Sequence, residues 1–71
     1  MKQSYKEHTI VVVVSSHGRK WRPSCRILDE SSGKFLKELD GYASCATREE
    51  AETAGLAIAK KWIDDLNAKF R

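Results

Sequence analysis

The residues that could do chemistry fall into a few groups. Arg19, Lys20, Arg22 and Arg26 form a basic cluster, and Lys34 and Lys37 could join it across a hairpin. Arg22 and Arg26 are two strand periods apart, so their side chains leave the same face of a strand. On an open sheet face they could contact phosphates, which makes Arg19, Lys20, Arg22, Arg26 and Lys37 the candidate nucleic-acid contacts. Trp21 points to the other side and cannot stack on a base from that face. The alternative is a solvated strand face with cross-strand ion pairs to Glu38.

The remaining reactive residues carry weaker signals. His8, His17, Cys25 and Cys45 are the soft metal ligands, but none is spaced as CxxC or HxxxH, so no zinc signature is present and no cofactor is expected. Cys25 falls on an apolar strand face, where a free thiol behaves as a small hydrophobe. Cys45 precedes the start of a helix, whose dipole could favour a thiolate; a structural role is the preferred reading for both. Ser15, Ser16 and His17 read as turn residues, with no positioned acid or oxyanion site. Asp64 and Asp65 are neighbours on a helix and diverge, so they read as solvated rather than as an acid–base pair.

These residues need elements to position them. Thr9 to Val14 is β-branched throughout, which reads as a strand. Ser15 to Lys20 contains Gly18 among polar residues and reads as a turn. From Trp21 to Leu28 the chain alternates, with Trp21, Pro23, Cys25 and Ile27 on one face and Arg22, Ser24, Arg26 and Leu28 on the other. Pro23 has no N–H, so that side should face away from a ladder partner or sit at a bulge. Glu30 to Gly33 reads as a hairpin turn, and Lys34 to Leu39 as a third strand. Residues 1–6 are polar and read as frayed.

The helix carries the strongest signals. Thr47-Arg48-Glu49-Glu50 fits a capping box. Glu49, Glu50 and Glu52 lie where the helix dipole favours carboxylates, and Lys69 and Arg71 where it favours cations. Ala51, Ala54, Gly55, Ile58, Trp62, Leu66 and Phe70 recur at three- and four-residue spacing, as one apolar stripe. Gly55 costs about 1 kcal/mol against alanine in a helix interior, which implies a close backbone approach. The expectation is α+β: a three-stranded antiparallel meander, strands over about residues 8–15, 20–29 and 34–40, packed on one long carboxy-terminal helix over about 48–69. The expected core is Ile10, Val12, Val14, Trp21, Ile27, Phe35, Leu39, Ala54, Ile58, Trp62 and Leu66.

Three stretches carry a resemblance. Tyr5-Lys6-Glu7-His8-Thr9-Ile10, Trp21-Arg22-Pro23, and Ala46 to Gly55 running on to Lys61-Trp62-Ile63-Asp64 resemble a group of small bacterial βββα proteins of unknown function. The likeness covers nearly the whole chain, and its most specific part is the capped "REEAETAG" ending in "WID". It implies a fold and a bacterial cytosol, and no activity. The order "GRKWRPSCRI", "KFLKEL", "TREEAETAGLAIA" is also similar, in architecture alone, to plant AP2-type domains and integrase amino-terminal domains. Those place three strands before one helix and read duplex DNA with the sheet. Their arginine-rich first strand is apolar here, from Thr9 to Val14.

Length and charge bound the rest. A single domain of 71 residues buries only about 60% of the surface its unfolded chain exposes. Little room remains for a walled pocket of about 300 Å³, so a non-catalytic role is expected. The charge of +3 is uneven: residues 1–26 hold Lys2, Lys6, Arg19, Lys20, Arg22 and Arg26 against Glu7 alone. A basic half can attract nucleic acid, or can serve solubility. Two cysteines, no signal peptide and no long apolar run point to a cytoplasmic protein without a membrane partner.

The first strand is the oddity. Ile10, Val12 and Val14 point one way, Val11 and Val13 the other, so neither face is polar. In a three-stranded meander it is also an edge, which proteins usually cover. Val11 and Val13 are therefore candidate self-association residues in a homodimer, unless they only express β propensity. The leading function is a non-catalytic binding module acting through its open sheet face or edge strand. The alternatives are nucleic-acid binding by the basic face, and a regulatory subunit that pairs with a protein by strand addition.

Overall fold

The computed structural model describes residues 1–41 and 44–69. Its elements are β1 (Lys2–Tyr5), β2 (His8–His17), β3 (Lys20–Asp29), β4 (Phe35–Asp40) and α1 (Arg48–Lys69). Neighbouring strands pair antiparallel in the order β1-β2-β3-β4. Helix α1 packs on one face of this sheet, mainly over β2 and β3. The α+β class and the single carboxy-terminal helix agree with the sequence reading, but the sheet has four strands where three were expected.

The added strand is β1, within the stretch expected to fray. Lys2 to Tyr5 pairs with His8 to Val11, and Met1 and Val12 exchange main-chain hydrogen bonds of 2.7 and 3.0 Å. The connecting turn is Lys6-Glu7, and both residues have positive φ, 45° and 67°. A two-residue hairpin turn with positive φ at both positions matches the twist of the flanking strands, but normally uses Asn or Gly. The tertiary anchor offsets that cost. The Tyr5 hydroxyl donates to the Asp64 carboxylate on α1 at 2.9 Å, and the Lys6 ammonium meets the same carboxylate at 2.6 Å. Asp64 is thus held by the hairpin while its side chain stays 45% exposed.

This contact has a pH signature. The Lys6 ammonium first, and then the Tyr5 hydroxyl, hold the Asp64 carboxyl below its ordinary value of 3.8. A carboxylate with a lowered folded value contributes stability above its ordinary value and loses it as pH falls through the folded value. In a titration followed by amide shifts, β1 should therefore loosen below pH 3.8 while β2 and β3 hold. Asp64→Asn should show the loosened β1 already at neutral pH. A β1 that stays docked in that variant would mean that strand pairing alone holds it.

Strand β2 runs to His17, so the turn before β3 is only Gly18-Arg19. Ser15, Ser16 and His17 lie on a strand, not in a turn. Pro23 turns its missing N–H side toward the β4 lane, where its carbonyl accepts from Gly41 at 2.9 Å. The chain leaves β4 at Asp40, so little ladder is lost there. A Cβ built on Gly41 would lie 2.5 Å from the Pro23 ring, so only glycine lets the chain pass that close.

The core lies between α1 and the covered sheet face. Ile10, Val12, Cys25 and Ile27 come from the sheet, and Ala59 and Ile63 from the helix. Ala51, Gly55, Ala59 and Ile63 are the buried helix positions, one per turn. Ala51 and Gly55 of the expected stripe lie in this row, and its other described members lie to one side of it. Ala54, Ile58, Trp62 and Leu66 are half-buried along its flank. The small residues sit at the centre because they let α1 lie low on the sheet, and the large ones fill the wedge beside it. Val14, Trp21 and Leu39 are likewise half-buried. Phe70, also assigned to the stripe, and Arg71 lie outside the described residues.

Phe35 departs furthest from expectation, at 53% exposed. The register shifts between Ile27 and Leu28, so that Lys37 opposes Ile27 but Phe35 opposes Leu28. A one-residue slip moves a side chain to the other face of a sheet. Phe35 therefore leaves the core and joins the uncovered face.

The helix start follows the capping rule with one variation. The Glu50 amide donates to the Thr47 hydroxyl at 3.1 Å. The Glu50 carboxylate reaches back one residue further than usual and accepts from the Ala46 amide at 3.3 Å. Thr47→Ala should cost about 1 kcal/mol, read as a fall in the urea midpoint with an unchanged slope.

Candidate functional site

The face of the sheet opposite α1 is built by alternation. Thr9, Val11, Val13, Ser15 and His17 on β2 stand opposite Leu28, Arg26, Ser24, Arg22 and Lys20 on β3. Their neighbours Ile10, Val12, Cys25 and Ile27 are buried under the helix, which fixes this set as the uncovered one. From β1, Lys2 stands opposite Val11. From β4, Glu38 and Asp40 stand opposite Arg26 and Ser24.

The structure brings together most of the predicted nucleic-acid contacts. Lys20, Arg22 and Arg26 project from one side of β3, and Arg19 sits in the adjoining turn. Lys37 does not join them. It stands opposite Ile27, so it belongs to the helix side of the edge strand. The sequence could not resolve this, because Leu36 and Lys37 left the inward face of that strand open. Val11 and Val13 share the uncovered face with the arginines, and Val13 is 46% exposed. The second apolar row of β2 is thus a row of the open face, half of it beside β1, and not the flank of an edge strand. That removes the edge from the self-association argument and leaves the face.

The arginines differ in their surroundings. Arg26 is 3.9 Å from the Glu38 carboxylate, and both are largely exposed. Such a pair contributes little and is easily exchanged for another partner. Arg22 makes no ion pair among the described residues. It borders a cleft of about 310 Å³ lined also by Ser15, His17, Ser24 and Asp40. The Ser24 hydroxyl is tied to the Val13 carbonyl at 3.2 Å.

Ser15, His17 and Asp40 in one cleft raise the question of nucleophilic chemistry. Among the described residues no hydrogen bond joins the hydroxyl, the imidazole and the carboxylate. The linked nucleophile, base and orienting group of hydroxyl activation are not assembled here. Among the described residues no group of three or more His, Cys, Asp or Glu side chains could hold a metal. Cys25 is buried, and burial pushes its thiol up, away from the reactive thiolate. Cys45 is held at main-chain level, exchanging hydrogen bonds with Trp21 at 2.9 and 2.8 Å.

The sequence missed two members of this face. Phe35 arrives there through the bulge, for which the sequence has no marker. His17 arrives because β2 outruns the expected strand end. No helix among the described residues is long and apolar enough to cross a membrane. The chain matches no family model, no curated protein and no solved structure.

Proposed function

We propose that this protein is a non-catalytic binding module whose working surface is the uncovered face of its sheet, and that this face takes the phosphate backbone of a nucleic acid. The observation that carries the reading is the row Lys20, Arg22, Arg26 on β3. Ser15 and Val11 stand across from Arg22 and Arg26 on β2, and both are too short to cover the guanidinium groups. Arg22 has no carboxylate partner among the described residues, and Arg19 extends the row past the end of the strand. Arginine is suited to such contacts because its fork matches phosphate oxygens. Val11 and Val13 give the ligand's sugars or base edges an apolar surface beside the charges.

The test is an amide-shift titration of labelled protein with short mixed-sequence duplex DNA and with single-stranded RNA at low salt. Shifts should cluster on Arg22, Arg26 and their β2 partners, and disappear as salt is added. Each phosphate contact adds about 0.9 to the slope of log affinity against log salt on duplex DNA. Arg22→Ala with Arg26→Ala should therefore flatten that slope by about 2. No shift at millimolar nucleic acid would discard the reading.

A second reading rests on a separate observation, the exposure of Val13 beside Val11. Two copies could pack these faces together as a homodimer, since stacked sheets bury such rows about 10 Å apart. Shifts at Val11 and Val13 that depend on protein concentration, without any ligand, would favour this reading. A monomeric sedimentation mass at high concentration would remove it.

A further inference from the structure

We propose a second binding site, at the outer edge of β4, that takes an extended peptide alternating basic and apolar residues as a fifth strand. The site is built on the β4 edge and the helix-side groove, with Glu38 and Asp40 at the rim of the open face selecting charge, and it does not require that the open face bind nucleic acid.

Gly41 donates to Pro23 across the β3–β4 ladder. Leu39 and Lys37, opposite Cys25 and Ile27, share that parity and turn their peptide groups inward. Glu38 and Asp40 therefore turn theirs outward. Among the described residues no strand pairs with that side of β4. Proteins usually blunt or cover a free edge, and an uncovered one is a template for strand addition.

A groove adjoins this edge. Because α1 packs mainly over β2 and β3, it stops short of covering β4. A groove of about 240 Å³ remains between them, lined by Leu39, Ile58, Lys61, Trp62 and Asp65. Ile58 and Trp62 are the large side chains displaced to the flank of the helix, and both stay half-buried. An added strand would run along the mouth of this groove. Its residue opposite Leu39 would share Leu39's face and place its side chain on Ile58 and Trp62.

Charge selects the rest of the ligand. Residues on either side of that anchor would stand opposite Glu38 and Asp40, on the other face of the sheet. Glu38 has only the long contact to Arg26, and Asp40 makes no ion pair among the described residues. Opposite charges directly across a ladder favour pairing, and like charges oppose it. The matching ligand reads basic, apolar, basic along Asp40, Leu39 and Glu38.

The probe is a capped peptide of about six residues, the length of β4, alternating lysine with valine or leucine. The expected result is a shift of the Glu38 and Asp40 amides together with the Trp62 indole, and a change in tryptophan fluorescence. Methylating the peptide nitrogens that face the edge should abolish binding. Replacing its lysines by glutamate should weaken it about three- to tenfold, as two exposed charge pairs would. Glu38→Lys with Asp40→Lys, both exposed positions, should reverse that preference. Equal binding of the methylated peptide, shifts confined to the Arg22 and Arg26 face, or no shift at millimolar peptide would each overturn the proposal.

Discussion

Ile27→Ala is expected to remove a large share of this protein's stability. Ile27 is fully buried, stands between Ile10 on β2 and Lys37 on β4, and belongs to the cluster that Ala59 and Ile63 close from above. Truncating a buried isoleucine to alanine costs about 2–5 kcal/mol, as lost transfer energy plus a cavity. A chain of this length has about 4–10 kcal/mol in total. At the upper end of the first range and the lower end of the second, the variant is unfolded at room temperature. Ile27→Val should cost only about 0.5–1.5 kcal/mol. Leu28→Ala, half-buried on the uncovered face, should fall between them. Urea midpoints by circular dichroism give the order. Equal losses for Ile27→Ala and Leu28→Ala would mean that α1 does not cover the Ile27 face. The same alternation that buries Ile27 aims Arg26 outward, so the order also tests the geometry of the proposed phosphate contacts.

How far the sequence could be read follows from where its local signals agree with its tertiary contacts. The long β strands and the capped helix were legible because β-branched runs, period-2 alternation and the Thr47–Glu50 box all act within a few residues. β1 was not legible. Its sequence is polar, its turn uses Lys6 and Glu7 where asparagine or glycine would mark a hairpin, and its anchor, Asp64, lies at the far end of the chain. Phe35 was misplaced because alternation predicts a face only while the register is unbroken, and the bulge at Ile27 and Leu28 breaks it. Of the candidate site, Arg22 and Arg26 could be placed together because they share one strand. Lys37 could not be excluded from them until the pairing across β3 and β4 was fixed. The peptide site proposed here draws on both faces of β4. Its open face carries Glu38 and Asp40, and its helix face carries Leu39.

Gly55→Leu is the other substitution with a large expected effect, and it probes the position where helix and sheet come closest. A Cβ built on Gly55 would lie 2.8 Å from a Val12 methyl and 3.3 Å from the Pro23 Cβ. Neither neighbour can yield easily. Val12 is buried and stiff at its branched Cβ, and Pro23 is a closed ring, itself buried and flanked on its other side by Gly41. Gly55→Ala therefore meets opposed effects. Alanine gains about 1 kcal/mol of helix propensity, while overpacking costs about 1–3 kcal/mol. The net change should be a loss of at most about 2 kcal/mol. Leucine adds further carbons toward the Ser24 carbonyl, 3.7 Å from the built Cβ, where only main chain is available to move. The helix must lift off β2 and β3, and the contacts of Ala51, Ala59 and Ile63 go with it. That loss exceeds the cavity left by Ile27→Ala, and the expected result is an unfolded chain at room temperature. Ala57→Leu, on the exposed side of the same helix, should be close to neutral and controls for helix propensity. A folded Gly55→Leu with an unchanged midpoint would place the helix elsewhere on the sheet. The groove beside β4 would then not exist in the form that the peptide site requires, because Ile58 and Trp62 reach its wall only while Gly55 seats the helix on Val12 and Pro23.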